Sequence, residues 1–113
     1  MTDQVNALLG VTLTWPRPTT AVVTAIGDID LTTAWQLDER LAQLPIDPNL
    51  RIVIDLTGVG FLGSAGLEVL VRANSERDLA LVVRGVAVTR PLQVTGLDEL
   101  FTLYPELEQA LAA

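Results

Sequence analysis

Apolar and polar positions change period several times along this chain, and each change marks an element. Val11, Leu13 and Trp15 alternate with Thr12 and Thr14, as in a strand with one buried face. Pro16-Arg17-Pro18-Thr19 interrupts the pattern, and Thr20 to Ile26 resumes it, which predicts a hairpin. Gly27-Asp28-Ile29-Asp30 closes the second strand. From about Thr32 to Leu44 the period becomes helical, with Ala34, Leu37, Leu41 and Leu44 on one face and Asp30, Thr32 or Thr33 as its cap. Two prolines between Pro45 and Asn49 end that helix.

The organising stretch runs from Arg51 to Val71. Ile52, Val53, Ile54 and Leu56 form a short apolar, largely β-branched run, the mark of a strand covered on both faces. Thr57 to Gly63 reads as a glycine-rich turn. Helical spacing then begins, with Leu67, Leu70, Val71 and Asn74 in register, Ser64 at the N-cap position, and an end near Glu76 to Asp78. Leu79 to Val83 is a further strand, Arg84-Gly85 a turn, and Thr89 to Thr95 a short helix with Pro91 in its first turn and Gly96 past its end. Phe101 to Tyr104 forms a last strand, and Pro105 opens a terminal helix striped by Leu107 and Leu111. The order β-β-α-β-α-β-α-β-α predicts one α/β domain: about four helices on a mixed, largely parallel sheet of about five strands.

Composition narrows the chemistry. Neither cysteine nor histidine occurs among the 113 residues, which removes thiol chemistry, imidazole-based triads and zinc sites built on those side chains. A net charge of −7, with seven arginines, no lysine and fourteen acids, opposes binding to nucleic acid. The same charge suits solubility or a basic protein partner. No apolar run approaches the ~20 residues that span a bilayer. Met1-Thr2-Asp3-Gln4 lacks the basic start of a signal peptide, so the expected location is the cytoplasm.

Three places could carry function. Gly58-Val59-Gly60-Phe61-Leu62-Gly63 matches the G-x-G-x-x-G of a dinucleotide-binding turn, with Asp78 about 20 residues on. Asp78, however, precedes the next strand instead of standing at its far end, and Phe61 and Leu62 are poor neighbours for a pyrophosphate. A turn built on positive φ and close packing accounts for the glycines better, so no cofactor is expected. Ser64 is first of all a helix cap, though a phosphate there would add about −1.5 to −2 charges against a partner. Asp28 and Asp30 lack the third group and cleft an acid–base pair needs; one should cap the helix while the other faces solvent or a partner. Trp35 lies beside its helix's apolar stripe, where it is partly exposed or rests on a neighbouring loop.

Four segments, in order and spacing, resemble the STAS domain family. Gly27-Asp28-Ile29-Asp30 is similar to the family's G-E-L-D, and Val53-Ile54-Asp55-Leu56-Thr57-Gly58-Val59 to its V-[IV]-D-L-S-x-[VL]. Phe61-Leu62-Gly63-Ser64-Ala65-Gly66-Leu67 is similar to F-[MLI]-D-S-[SAT]-G-L, and Gly96-Leu97 to Phe101 to G-L-x-x-x-F. The resemblance spans Val11 to Leu111 and implies a tail over 1–10 and a STAS domain over 11–113. It also implies a non-enzymatic anti-sigma factor antagonist that binds an anti-sigma factor, itself a serine kinase, and so frees a sigma factor. The implied contact residues are Asp28, Asp30, Gly63, Ser64, Ala65, Gly66 and Glu68. The chain departs from the pattern at the usual phosphoacceptor, which is Ala65, and at the preceding aspartate, which is Gly63. Ser64 and Thr57 are the substitute acceptors, unless the protein is not switched covalently. Ser-Ala-Gly also occurs in STAS subunits of phospholipid-transport ABC complexes, so an ABC transporter ATPase is the alternative partner.

Overall fold

The structure, a computed structural model, describes residues 9–113. Of the expected tail, residues 1–8 lie outside the described residues, and Leu9 and Gly10 already belong to the first strand. Strands β1 (Leu9–Arg17), β2 (Thr20–Ile29), β3 (Arg51–Leu62), β4 (Asp78–Val82) and β5 (Thr102–Tyr104) lie side by side in chain order. The β1–β2 hairpin is antiparallel and every later pairing is parallel. Helices α1 (Ala34–Ala42), α2 (Ser64–Glu76), α3 (Val86–Val94) and α4 (Leu107–Ala112) supply the connections and the C-terminus, with a 3-10 turn at Leu97–Glu99.

The two faces of the sheet are covered unequally. Leu37 and Leu41 of α1, Val69 and Leu70 of α2, and Val88 and Leu92 of α3 pack against the Val23, Ile52, Ile54 and Leu81 side of the sheet. On the other side, α4 is the one described helix that packs over Val22, Val53 and Val82, through Leu107, Ala110 and Leu111. Arginines pin the ends of these helices, because C-terminal carbonyls lack intrahelical partners and carry partial negative charge. Arg51 donates to the carbonyls of Ala110 and Ala113, and Arg17 to that of Leu111. At the end of α1, Arg77 donates to the carbonyls of Leu41, Leu44 and Pro45.

Several boundaries differ from the sequence expectation. The segment from Thr57 to Leu62 is strand rather than turn, because β2 also runs on to Ile29 and pairs with it across two irregularities in register. Its glycines do not need positive φ; the described glycines with positive φ are Gly27, Gly85 and Gly96. Helix α1 starts at Ala34, two residues late, since Asp30 to Thr33 is held in a hydrogen-bonded turn of its own. Helix α3 starts at Val86, directly after Gly85, so Pro91 lies in its interior and gives no N–H to the carbonyl four residues earlier. The last strand begins at Thr102, leaving Phe101 as a buried core residue ahead of it.

Candidate functional site

The ends of β2 and β3 and the start of α2 form one surface. The parallel register carries Asp28 opposite Phe61 and Ile29 opposite Leu62. Beyond it the Gly63 amide donates to the Ile29 carbonyl at 2.9 Å, so the chain leaves β3 directly beside the Asp28–Asp30 segment. The sequence-predicted residues Asp28, Asp30, Gly63, Ser64, Ala65 and Gly66 are thereby brought together.

Ser64 is not the cap of α2. Gly63 holds that position, with its carbonyl accepting from Leu67 N at 3.1 Å, and it has no side chain with which to cap. Ser64 is instead the first helical residue and is exposed, Ala65 is half-buried, and Gly66 is buried. The shift has a steric cause. A β-carbon at Gly66 would stand 2.6 Å from Ile29 Cγ2 and 2.7 Å from Leu62 Cδ1, so the first turn of α2 sits directly on the strand ends. That seating aims Ser64 outward. With glycine at the cap, no side-chain cap bond is made at the start of α2 and its first turn holds no acidic residue, so the positive end of the helix is not neutralised within the helix.

Neither Asp28 nor Asp30 holds the cap position of α1, which is Thr33 and makes no side-chain cap bond; Asp30 instead organises the turn that leads into the helix. One of its carboxylate oxygens accepts from the Thr32 amide at 2.9 Å, the Thr32 hydroxyl at 2.8 Å and the Thr33 amide at 3.1 Å. These bonds, the Thr32 hydroxyl foremost, favour the ionised form and hold Asp30 below the usual carboxylate range. Thr33 completes the turn from inside: its hydroxyl donates to the Asp28 carbonyl at 2.7 Å and accepts from the Asp30 amide at 2.9 Å. Thr33 is one of the three residues the sequence offered as a cap, but its burial and its bonds back to Asp28 and Asp30 carry no obvious signal there. Asp28 is half-exposed and stands next to Gly60, where a β-carbon would come within 3.3 Å of its carboxylate.

Glu68 lies exposed one turn after Ser64. Between α2 and the 3-10 turn runs an open groove of about 460 Å³, lined by Ser64, Leu67, Glu68, Val71, Arg72 and Leu97. Arg72 also pairs with Asp38 of α1 at 3.3 Å. Trp35 is exposed, with its indole N–H donating to the Thr32 carbonyl at 3.0 Å. Thr57 lies elsewhere, in mid-β3, where its hydroxyl donates to Asp55 at 2.8 Å. Among the described residues, no cluster of three or more His, Cys, Asp or Glu is placed to hold a metal ion. No described helix is long and apolar enough to cross a membrane.

Comparison with known proteins fits this geometry. Over 96 residues the chain is 41% identical to the anti-sigma-F factor antagonist RsfB of Mycobacterium tuberculosis, covering 80% of this chain and 78% of that protein. The crystal structure of an anti-sigma factor antagonist from Mycobacterium paratuberculosis superposes with a TM-score of 0.83 at 36% identity, covering 92% of each chain. The Bacillus cell-fate determinant SpoIIAA, in its phosphorylated form, shares the fold with a TM-score of 0.64 at 16% identity, covering 91% of this chain and 97% of that one. The STAS domain model matches residues 16–110, and the chain belongs to the STAS domain family.

Proposed function

We propose that this protein is an anti-sigma factor antagonist: it binds an anti-sigma factor of the serine-kinase type and so frees a sigma factor for transcription. The observation that carries this reading is the 41% identity to a mycobacterial anti-sigma-F factor antagonist over a span that includes the whole β2–β3–α2 surface. The role is one of binding in the cytoplasm, not of catalysis. The contact surface is Asp28, Asp30, Gly63, Ser64, Ala65, Gly66 and Glu68.

Position 65 shapes the regulation. An alanine has no hydroxyl to accept phosphate, so a kinase partner must use Ser64, which is exposed one residue earlier, or Thr57, or act without covalent switching. A phosphate on Ser64 would add about −1.5 to −2 charges beside Glu68 and Asp30. The open helix end tolerates that charge, whereas a partner face that desolvates it does not. Thr57 is the less suitable acceptor: its hydroxyl is already engaged, and five residues of strand, roughly 16 Å, separate it from the end of β3.

Calorimetric titration with the anti-sigma factor, using wild type, Ser64→Asp and Glu108→Ala, tests the proposal. Ser64→Asp should weaken binding ~10-fold or more, a loss of about 1.4 kcal/mol. Glu108→Ala, on α4, should bind as wild type does. Equal affinities for all three would remove the α2 start from the interface. Wild type that binds no anti-sigma factor, but is captured with an ABC transporter ATPase, would make the chain a transport subunit; the Ser64-Ala65-Gly66 sequence favours that second reading.

A further inference from the structure

Among the described residues, the sheet face that carries α4 is only partly covered. Helix α4 has six residues, ~9 Å of helix, whereas the twelve residues of β3 extend for ~40 Å. Its apolar side chains reach Val22, Val53 and Val82. Past the Thr24–Asp55 pair the register shifts twice, so that Ile26 pairs with Gly58 and Asp28 with Phe61; Ala25, Ile29, Val59 and Leu62 turn into the core, which leaves Ile26, Asp28, Gly58 and Phe61 on the opposite face with no described helix over them. Two large apolar side chains therefore stand in solvent, Ile26 at 62% and Phe61 at 51% exposure.

The G-x-G-x-x-G segment is what gives this patch its shape. A β-carbon on Gly58 would approach Ile26 Cγ1 to 3.0 Å, one on Gly60 the Asp28 carboxylate to 3.3 Å, and one on Gly63 the Phe61 ring to 3.0 Å. Each glycine thus leaves room for one side chain of the patch. The three glycines that imitate a nucleotide turn are seats for Ile26, Asp28 and Phe61.

We infer that this bare half of the sheet is a second contact area for the anti-sigma factor, continuous with the α2 start, and that it receives an apolar side chain flanked by arginine or lysine. The inference rests on the function proposed above. Continuity is direct, because the Phe61 ring lies against Gly63, the cap residue of α2. Charge sets the chemistry of the occupant. Between Thr24 and Ile29 and between Asp55 and Leu62 the two strands carry Asp28 and Asp55 and no basic residue, Arg84 just past β4 is already paired with Glu106, and the chain has a net charge of −7. A second copy of the same acidic chain would bring carboxylates to face carboxylates, whereas a basic–apolar segment satisfies both features.

Calorimetry with the anti-sigma factor at two salt concentrations, on wild type, Ile26→Ser, Phe61→Ser, Asp28→Asn and Ser64→Asp, separates the outcomes. Ile26→Ser is the decisive variant, since its exposed side chain does not touch α2; melting curves check that each variant folds. Ile26→Ser and Phe61→Ser should each weaken binding ~10-fold, as buried apolar anchors do, and Asp28→Asn should flatten the salt dependence. Binding by both serine variants at wild-type affinity, with Ser64→Asp still impaired, would overturn the second contact area and leave the proposed function standing. Failure of wild type to bind would overturn both. Sedimentation showing a wild-type dimer that Ile26→Arg dissolves would also overturn the inference, by giving the face to a second copy.

Discussion

Strand β3 divides into two halves with opposite surroundings. From Arg51 to Asp55 it lies between β2 and β4, with helices over both faces, and Ile52, Val53 and Ile54 are wholly buried. From Thr57 to Leu62, among the described residues, β2 is the one strand that pairs with it and one face is covered, so Val59 and Leu62 point into the core while Gly58, Gly60 and Phe61 are exposed. One continuous backbone therefore serves two purposes. Apolar burial on the inner half holds the domain together, and the outer half can present side chains because its stability does not depend on their being covered.

The largest expected effect tests that division directly. Ile54→Ala should destabilise the domain by ~2–5 kcal/mol, the cost of a core truncation with its residual cavity. Ile26→Ala, three residues along β2 from Val23, the partner of Ile54, but exposed on the outer face, should stay within ~0.5 kcal/mol. Urea denaturation of the two variants measures the contrast. Comparable losses would mean that the outer half carries as much of the core as the inner one.

Glycine substitutions sharpen the comparison at a smaller scale. Gly66→Ala gains up to ~1 kcal/mol of helix propensity, but its methyl would collide with Ile29 and Leu62, side chains locked in the core. Overpacking of this kind costs ~1–3 kcal/mol, so a net loss is expected. Gly58→Ala meets only Ile26 at close range, and Ile26 can turn aside into solvent. Its stability, by the same urea titration, should be nearly that of wild type. A destabilised Gly58→Ala protein would show that the outer strand is packed more rigidly than its exposure implies.

The inner half was legible in the sequence and the outer half was not, for the same reason. Ile52, Val53, Ile54 and Leu56 form an apolar run that only a doubly covered strand explains. Thr57 to Gly63 holds three glycines in seven residues, and local propensity reads that as a turn. What keeps it extended is pairing with the last residues of β2, a tertiary contact that no local pattern reports. Ser64 failed as a cap because its position depends on where β3 ends. The resemblance of the motif segments named Asp28, Asp30 and Gly63–Gly66, and the pairing of β2 with β3 brings those residues side by side. The partnerships of Thr33, Arg51 and Arg77 were invisible, since each side chain serves backbone carbonyls distant in sequence or in a turn of unforeseen shape.

The smallest effect concerns how the outer edge is held where apolar burial gives out. There Asp30 organises the turn into α1 through three donors, the Thr32 amide and hydroxyl and the Thr33 amide. These bonds lower its pKa from the ordinary 3.8, so the folded protein binds the Asp30 proton less readily than the unfolded chain does. The resulting stabilisation is complete above pH 3.8 and is lost as pH falls through the lower folded value. Asp30→Asn keeps an oxygen that can accept from the two amides but cannot titrate. The stability gap between wild type and Asp30→Asn should therefore be widest near neutrality and narrow steadily in acid below pH 3.8, as read by urea denaturation at matched ionic strength. Subtracting the variant cancels the other thirteen acids. A gap that stays constant into acid would show that the threonine donors serve the turn through geometry alone, without favouring the charge.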